Sequence, residues 1–283
     1  MKKVLFQVLW MPSLLVVCLL FVGCSEYQEI SSQPQLVVEG WIDAGEFPVV
    51  KLTKTINFGK KEAIELDNLS KYVERWAKVS ISDGERTEVM VGRYDKRYFP
   101  PFIYTTYDMR GEVGKVYTLR VETPDGVMAE AKTTIPKPVP IDSFKVVPAE
   151  VDTLYQLYAY TSCKQRCKFY TEVLGTDTEF YPSELGLLDA GMIGTDGKVS
   201  VRRGRNNTLK ETNHYFKLGE IVRVKFSTLD DVSYDFWRSF EDMSALSRVP
   251  LIPTSKNLKS NVVGALGYWC GYGSMFYQVP IKD

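Results

Sequence analysis

The chain contains 283 residues, with 35 basic and 35 acidic side chains. This neutral balance argues against nucleic-acid binding, which requires a basic surface. The length predicts either one large domain or two modest ones, and both alternatives provide enough residues to bury a core.

The first 23 residues have the layout of a secretory signal peptide. Lys2 and Lys3 precede an apolar stretch, residues 4–22, which Pro12 interrupts. A short basic start followed by an apolar run is typical of a segment that is removed on export. We therefore leave residues 1–23 out of the predicted fold.

A cysteine follows the apolar stretch directly. The run Val22-Gly23-Cys24 resembles the lipobox of bacterial lipoproteins, although Phe21 stands where leucine is more usual. The resemblance implies cleavage before Cys24 and covalent lipid on its thiol. Two or more acyl chains anchor a protein stably to a membrane. The alternatives are an ordinary signal peptide that happens to contain Cys24 and an uncleaved membrane anchor.

Residues 24–35 form a predicted polar tether that begins with two acidic side chains, Glu26 and Glu29. This start resembles the acidic signal of Bacteroidota lipoproteins that are exported to the outer face of the outer membrane. It therefore implies an outer-membrane location at the cell surface. The alternative is a solvated tether on the periplasmic side.

The pattern from Leu36 onward predicts a mainly β protein. Alternating, β-branched runs predict strands near residues 36–42, 49–53, 77–82, 88–91, 117–122 and 128–133. Asp83-Gly84 and Asp125-Gly126 predict tight turns. This spacing predicts an immunoglobulin-like β-sandwich over residues 36–135. The charged stretch 59–76 interrupts the rhythm and is interpreted as an insertion between strands.

Three prolines at alternate positions follow the predicted sandwich. Pro136, Pro138 and Pro140 favour an extended, semi-rigid spacer, so we predict a linker over residues 136–142. The remainder, 143–283, reads as a β-rich C-terminal domain with one amphipathic helix at about 232–247. Asp230 or Asp231 is the predicted N-cap of that helix.

Three cysteines remain in the predicted mature chain besides Cys24. Cys163 and Cys167 flank a polar trio and could form a disulfide across a turn, and the alternative is that they are free thiols. Zinc is disfavoured, because a structural zinc site needs four ligands and His214 is the only histidine.

The sequence offers no catalytic arrangement. A serine-histidine-aspartate triad would need His214 as its base, but no Gly-x-Ser-x-Gly turn precedes it. Asp230 and Asp231 are adjacent, so they cannot face each other across a sugar ring. We therefore predict a protein that is not an enzyme and has no cofactor, apart from the lipid on Cys24.

Two aromatic clusters are candidates for binding. Around the prolines at 100 and 101, we predict that four exposed side chains contact a partner or ligand: Tyr98, Phe99, Phe102 and Tyr104. Exposed aromatic rings combine large contact area with a polar handle. The alternative is that they are core residues. For the second cluster, residues 268–277, the core interpretation is favoured, because aromatic side chains are enriched in sheets.

Several landmarks occur in a recognisable order along the mature chain. They include the opening run 36–42, the run 114–121, the proline segment with Ile141-Asp142, Asp230-Asp231 before the helix, and the closing runs 260–267 and 271–273. Together they resemble a large uncharacterised family of Bacteroidota outer-membrane lipoproteins, a domain of unknown function. The insertion 59–76 and the Cys163/Cys167 pair depart from that family's pattern.

The resemblance also implies partners. Members of that family are often encoded beside starch-utilisation-type TonB-dependent transporters and their substrate-capturing lipoproteins. It therefore implies a non-enzymatic accessory subunit of a nutrient uptake complex for peptides or oligosaccharides. Because the anchor and the short tether would hold the first domain near the membrane, we predict that the 98–107 loop contacts the membrane-embedded partner and that the second domain faces outward. The alternative is a standalone glycan-binding lipoprotein or a hydrolase.

Overall fold

The computed structural model describes residues 34–55, 70–151, 153–204, 214–246 and 258–282. The predicted signal peptide, the predicted lipidation residue Cys24 and most of the predicted tether lie outside the described residues. Most of the insertion predicted at 59–76 also lies outside them.

The described chain is mainly β, as the sequence predicts. Its strands are β1 Leu36–Asp43, β2 Val49–Lys54, β3 Lys78–Ser82, β4 Thr87–Val89, β5 Val91–Tyr94, β6 Phe102–Thr105, β7 Val116–Glu122, β8 Met128–Thr134, β9 Ser143–Pro148, β10 Leu154–Tyr160, β11 Cys167–Val173, β12 Tyr181–Leu188, β13 Lys198–Val201, β14 Phe216–Lys217, β15 Ile221–Leu229, β16 Val262–Val263 and β17 Leu266–Pro280. The helix predicted at 232–247 is confirmed as α1, Asp231–Leu246.

One eight-stranded sheet joins the two halves of the chain. Its strand order is β12-β11-β15-β17-β1-β2-β6-β5. At its centre β1 pairs in parallel with β17, from Val37 opposite Leu266 to Asp43 opposite Tyr272. The other pairs in this sheet are antiparallel. We call it the shared sheet, because strands from both predicted domains form it.

The first core lies between the shared sheet and a five-stranded sheet of order β16-β8-β7-β3-β4. Val38 and Leu52 from one sheet pack with Val79 and Leu119 from the other. Trp269 of β17 is fully buried among them, and its indole N–H donates to the Tyr117 carbonyl at 3.0 Å. The sandwich predicted over 36–135 is thus completed by strands from the far end of the chain.

The second core lies on the other half of the shared sheet. Phe169 and Phe226 from β11 and β15 pack with Leu157 and Val201 from a smaller sheet, in which β13, β14 and β9 pair with β10. The Phe169 and Phe226 rings are 4.6 Å apart between their centroids. In the described part of the chain these two cores share one sheet, and a third hydrophobic cluster, which includes Trp237 and Tyr272, lies between that sheet and the helix.

The proline segment 136–142 is packed against the shared sheet. The Lys137 carbonyl accepts a hydrogen bond from Thr228 Oγ1 at 2.9 Å, and the Ile141 amide donates to Tyr277 Oη at 2.7 Å. Because these bonds hold the segment to β15 and β17, its structure differs from the spacer between separate domains that the sequence analysis predicted. The boundary between the first and second cores along the chain does lie near this segment.

Two glycines of β17 allow the chain to cross closely over that strand. A Cβ atom on Gly271 would lie 2.6 Å from the Thr134 carbonyl oxygen, and one on Gly273 would lie 2.2 Å from the Pro136 carbonyl oxygen. Any larger residue would push the crossing segment away. This contact gives the run 271–273 a structural role.

Helix α1 packs on the face of the shared sheet that is opposite the two cores. Asp230 caps it, since its carboxylate accepts the Ser233 amide at 2.9 Å. The Trp237 indole N–H donates to Tyr272 Oη at 2.9 Å, which ties the helix to β17. Among the described residues, no helix has both the length and the apolarity that crossing a bilayer requires.

Candidate functional site

A cavity of about 590 Å³ lies over the shared sheet, on the same face as α1. The alternation of side chains along each strand determines which residues form its floor. On β1, Val38 and Ile42 enter the first core, so Glu39, Trp41 and Asp43 face the cavity. A volume of several hundred Å³ is typical of small-molecule binding sites. The cavity therefore has the size of a ligand site.

Strands from both halves of the chain line this cavity. Two loops and the helix form its walls, with residues 97–99 on one side, 178–182 on another and Trp237 of α1. The lining side chains that are aromatic are Trp41, Phe47, Tyr98, Phe99, Tyr170, Phe180, Tyr181, Trp237, Tyr268, Tyr272 and Phe276. Aromatic rings thus make up a large part of the surface that a ligand would meet.

The aromatic rings near solvent belong to different elements. Phe99 is 47% exposed and Phe276 is 42% exposed. The Phe276 ring lies 5.7 Å from that of Phe180, and the Tyr98 ring lies 6.0 Å from that of Trp41, measured between centroids. Partly exposed rings around a cavity provide apolar and cation–π contacts for an incoming molecule.

A buried ion pair crosses the floor of the cavity. Lys225 Nζ lies 2.6 and 2.8 Å from the two oxygens of the Asp43 carboxylate. Ser274 Oγ donates a further hydrogen bond to Asp43, and Lys225 Nζ lies 4.6 Å from the centroid of the Tyr272 ring. Because both charges are almost fully buried, each depends on the other to offset the loss of solvation.

A second buried lysine is shared by two carboxylates. Lys51 Nζ lies 2.8 Å from Glu39 Oε1 and 3.9 Å from Glu179 Oε2. Burial acts to lower the pKa of Lys51, but the two carboxylates outweigh it and raise that pKa. Burial also raises the pKa of Glu179 to about 7, and the charge of Lys51 opposes the rise. At neutral pH Glu179 is thus poised between its two protonation states.

The third ion pair lies toward the mouth of the cavity. Arg223 donates to Glu172 at 2.8 Å across β15 and β11, and its guanidinium lies 4.8 Å from the centroid of the Phe180 ring. The cavity thus combines aromatic rings with charges that are paired across strands. That combination suits a ligand with both apolar and polar parts.

The four predicted contact residues divide into two pairs. Tyr98 and Phe99 line the cavity, and their contact with a ligand stays a prediction. Phe102 and Tyr104 pack in the first core, where Tyr104 is 2% exposed and donates to the Glu74 carbonyl at 3.2 Å. Burial raises the pKa of Tyr104 to about 12. Tyr104 is buried in the first core, Phe102 is half-buried against it and neither lines the cavity, so their contact with a partner or ligand stays a prediction.

The second aromatic cluster, residues 268–277, places side chains on both faces of β17. Trp269 and Tyr277 turn toward the two cores, as the favoured interpretation requires. Tyr268 and Phe276 turn toward the cavity instead, and Tyr268 Oη donates to Glu39 at 3.0 Å. A strand with aromatic residues on both faces therefore connects the cores to the candidate site.

The cysteines lie away from the cavity mouth. Cys163 and Cys167 are buried free thiols in the second core with their sulfurs 3.3 Å apart, and the disulfide between them stays a prediction. The hydrogen bond from Cys167 lowers the pKa of Cys163 to about 7. No group of three or more metal-binding side chains occurs within the described ranges. His214 contacts Glu184 and does not line the cavity.

Sequence reasoning missed the charged residues of the site. In the sequence, apolar residues that enter the cores alternate with Glu39, Lys51 and Lys225. This pattern is typical of a two-layer sheet whose outer face is exposed to solvent. The available signal was the aromatic content of those same faces, because Trp41 and Tyr170 follow the same alternation.

Comparison with known proteins gives a family for this architecture. A search of curated proteins returns no match. The sequence matches a family model over residues 25–275, which covers the first core, most of the second core and most of the cavity lining. The chain therefore belongs to the family described as a domain of unknown function (DUF4249).

Proposed function

We propose that this protein is a non-enzymatic accessory lipoprotein that binds a peptide or an oligosaccharide in the cavity over the shared sheet. Lipid on Cys24 anchors it to the outer membrane, at the cell surface. It acts beside a TonB-dependent transporter and the substrate-capturing lipoprotein of that transporter, as one subunit of a nutrient uptake complex.

The observation that carries the binding role is the cavity. Its volume of about 590 Å³ accommodates a short oligomer, and Phe99 and Phe276 expose parts of their rings beside it. Aromatic rings are suitable contacts for both sugars and peptides. The anchor and the transporter partnership are supported by the sequence resemblance, since Cys24 follows a lipobox-like run.

A hydrolase is the second candidate, favoured by one pair of side chains. Glu39 and Glu179 both approach Lys51 Nζ, and the pKa of Glu179 is raised to about 7. A pair of carboxyl groups, one of them with a raised pKa, is typical of glycosidases. Here, however, both carboxylates are drawn to one ammonium group. Turnover assays with polysaccharides and peptides distinguish the candidates, because the accessory role predicts no product.

The double substitution Tyr98→Ala and Phe99→Ala tests the binding role. We expect it to weaken ligand binding at least tenfold, because removing aromatic anchors from an interface costs about 2 kcal/mol or more. Binding is measured by titrating peptide and oligosaccharide mixtures while following the fluorescence of Trp41 and Trp237, which line the cavity. Tyr107→Ala is the matched control, since Tyr107 is 62% exposed and lies outside the lining.

The same variants are then compared by affinity purification from outer membranes in mild detergent. The proposed partnership predicts that a TonB-dependent transporter accompanies the wild-type protein. Unchanged ligand binding by the double variant would contradict the assignment of the cavity. Absence of any transporter from the wild-type preparation would contradict the partnership.

The substitution Cys24→Ala tests the anchor. We expect the variant to remain unprocessed or to be released from membranes, because it lacks the thiol that carries the lipid. Detergent partitioning and the mass of the mature amino terminus measure this directly. An unmodified amino terminus on the wild-type protein would refute lipidation. Protease treatment of intact cells tests surface exposure, and degradation restricted to lysed cells would place the protein in the periplasm.

A further inference from the structure

The carboxylates of the cavity differ in how completely they are paired. Glu39, Asp43 and Glu172 each accept a hydrogen bond or ion pair from a lysine or arginine at 2.8 Å or less. Glu39 with Lys51 and Glu172 with Arg223 join neighbouring strands of the shared sheet. Asp43 and Lys225 lie on β1 and β15, the two strands that flank β17. All three are therefore interpreted as structural pairs. Glu179 comes instead from a wall loop of the cavity.

Glu179 is a partly buried carboxylate with remaining capacity to accept hydrogen bonds, whereas Glu46, the fifth carboxylate of the lining, is exposed to solvent. The Phe99 backbone amide acts to lower the pKa of Glu179 against the effect of burial. Lys51 Nζ lies 3.9 Å from Glu179 Oε2, beyond hydrogen-bond distance. The Glu179 side chain is 14% exposed and lines the cavity. Since an ionised carboxylate offers about four acceptor positions, Glu179 can still bind a donor that enters from the cavity.

Aromatic residues line the same cavity as this carboxylate. Phe99 is one of them, and it is 47% exposed. Phe180 follows Glu179 in the chain, and its ring packs 5.7 Å from that of Phe276. A carboxylate beside the faces of aromatic rings is a favourable environment for an organic cation, which gains both an ion pair and cation–π contacts.

The overall charge of the lining favours the same kind of ligand. Within the described part of the chain, five carboxylates and four cations line the cavity. One of those cations, Arg97, is held at 2.7 Å by Asp95, which is outside the lining. The lining is therefore acidic when Glu179 is ionised, and a neutral sugar would not offset that charge.

We propose that the cavity recognises a free amino group of a peptide, held by the Glu179 carboxylate beside the rings of Phe99 and Phe276. This inference rests on the proposed binding function and narrows its ligand from peptides or oligosaccharides to amine-bearing peptides. The ammonium group completes the hydrogen bonds of Glu179, and the aromatic rings contact the adjoining apolar part of the peptide.

The pH dependence of binding follows from the charges that face Glu179. These are Lys51 and Glu39 on the sheet and the phenols of Tyr98 and Tyr181. Burial raises the pKa of Glu179 to about 7, so its ionised form predominates above that pH. A lysine ammonium stays protonated to about pH 10. For the lysine-bearing peptide, affinity should therefore increase from pH 6 to pH 8, with proton release on binding at the lower pH. An α-amino group, with a pKa of about 7.7–8.0, itself begins to lose its proton over this range, so its gain in affinity should be smaller.

The experiment is calorimetric titration of the mature lipid-anchored protein in detergent micelles. The probes are acetyl-Gly-Lys-Gly amide and triglycine amide, each compared with its amine-acetylated analogue and with a neutral glucan oligosaccharide. A charge-assisted hydrogen bond predicts about tenfold tighter binding of at least one free amine. Glu179→Gln should remove that preference. Glu85→Gln, at a carboxylate 83% exposed and outside the lining, should retain it.

Two outcomes overturn the inference in distinguishable ways. Equal affinity for free and acetylated amines, or a preference that survives Glu179→Gln in a protein with an unchanged melting temperature, refutes the amine site. If the glucan or the acetylated peptides still bind, and that binding depends on Phe99, the proposed binding function stands although the amine site is refuted. If no probe binds the wild-type protein, both the inference and the ligand-binding role fail.

Discussion

Replacing Asp43 by alanine is expected to lower the free energy of unfolding by about 3–5 kcal/mol. The variant would leave the Lys225 ammonium buried beneath the cavity without the two carboxylate contacts at 2.6 and 2.8 Å. Ser274 would lose its acceptor as well. Urea unfolding followed by circular dichroism measures the change. The urea concentration at the midpoint should fall, while the dependence of the unfolding free energy on urea concentration stays constant.

The matched control is the double variant Asp43→Ala with Lys225→Met. It removes both charges, so most of the loss should be recovered, since replacing a buried ion pair by apolar residues is often neutral. A double variant as unstable as Asp43→Ala alone would show that packing, and not the isolated charge, explains the effect. Neither substitution touches Glu179, so any remaining ligand binding can still be measured.

Trp269→Ala should cost about 3–5 kcal/mol, the range for removing a buried aromatic side chain. Trp269 is completely buried in the first core and donates to the Tyr117 carbonyl, so the variant leaves both a void and an acceptor without its partner. The free energy of unfolding from chemical denaturation is the measurement. Trp76→Ala is the control, because Trp76 is 83% exposed and its loss should change stability by less than about 0.5 kcal/mol.

A small effect of Trp269→Ala would contradict the architecture described above. It would mean that the first core is stable without the C-terminal strand, as a self-contained sandwich over residues 36–135 would be. A large effect supports the shared sheet, in which β17 contributes to both cores.

The local elements of the fold were predictable, and their long-range pairing was not. Alternation and turn residues identified the strands around Val38 and Val79, and the spacing of Phe236, Trp237 and Phe240 identified α1. These signals act over a few residues. The parallel pairing of Val37 with Leu266 joins segments more than two hundred residues apart, and no local signal specifies it. The proline segment was therefore interpreted as a boundary.

Two of the four predicted contact residues lie at the candidate site and two do not, and local sequence signals could not separate the two pairs. Tyr98 and Phe99 precede β6 and lie in a wall loop, whereas Phe102 and Tyr104 belong to β6 and pack in the first core. The aromatic composition is the same in both pairs. Distinguishing them requires knowing where the strand begins, and element boundaries are the least predictable feature of a sequence.

The pairing of β1 with β17 also affects the order in which the molecule can fold during its synthesis. A chain that emerges from its amino terminus presents β1 early, but more than two hundred residues separate Val37 from its partner Leu266 in β17. Until β17 has been made, one edge of β1 and part of the first core stay open to water and to other chains. Such non-local pairing slows folding and exposes intermediates to aggregation. The first core can therefore close only after β17 has been synthesised.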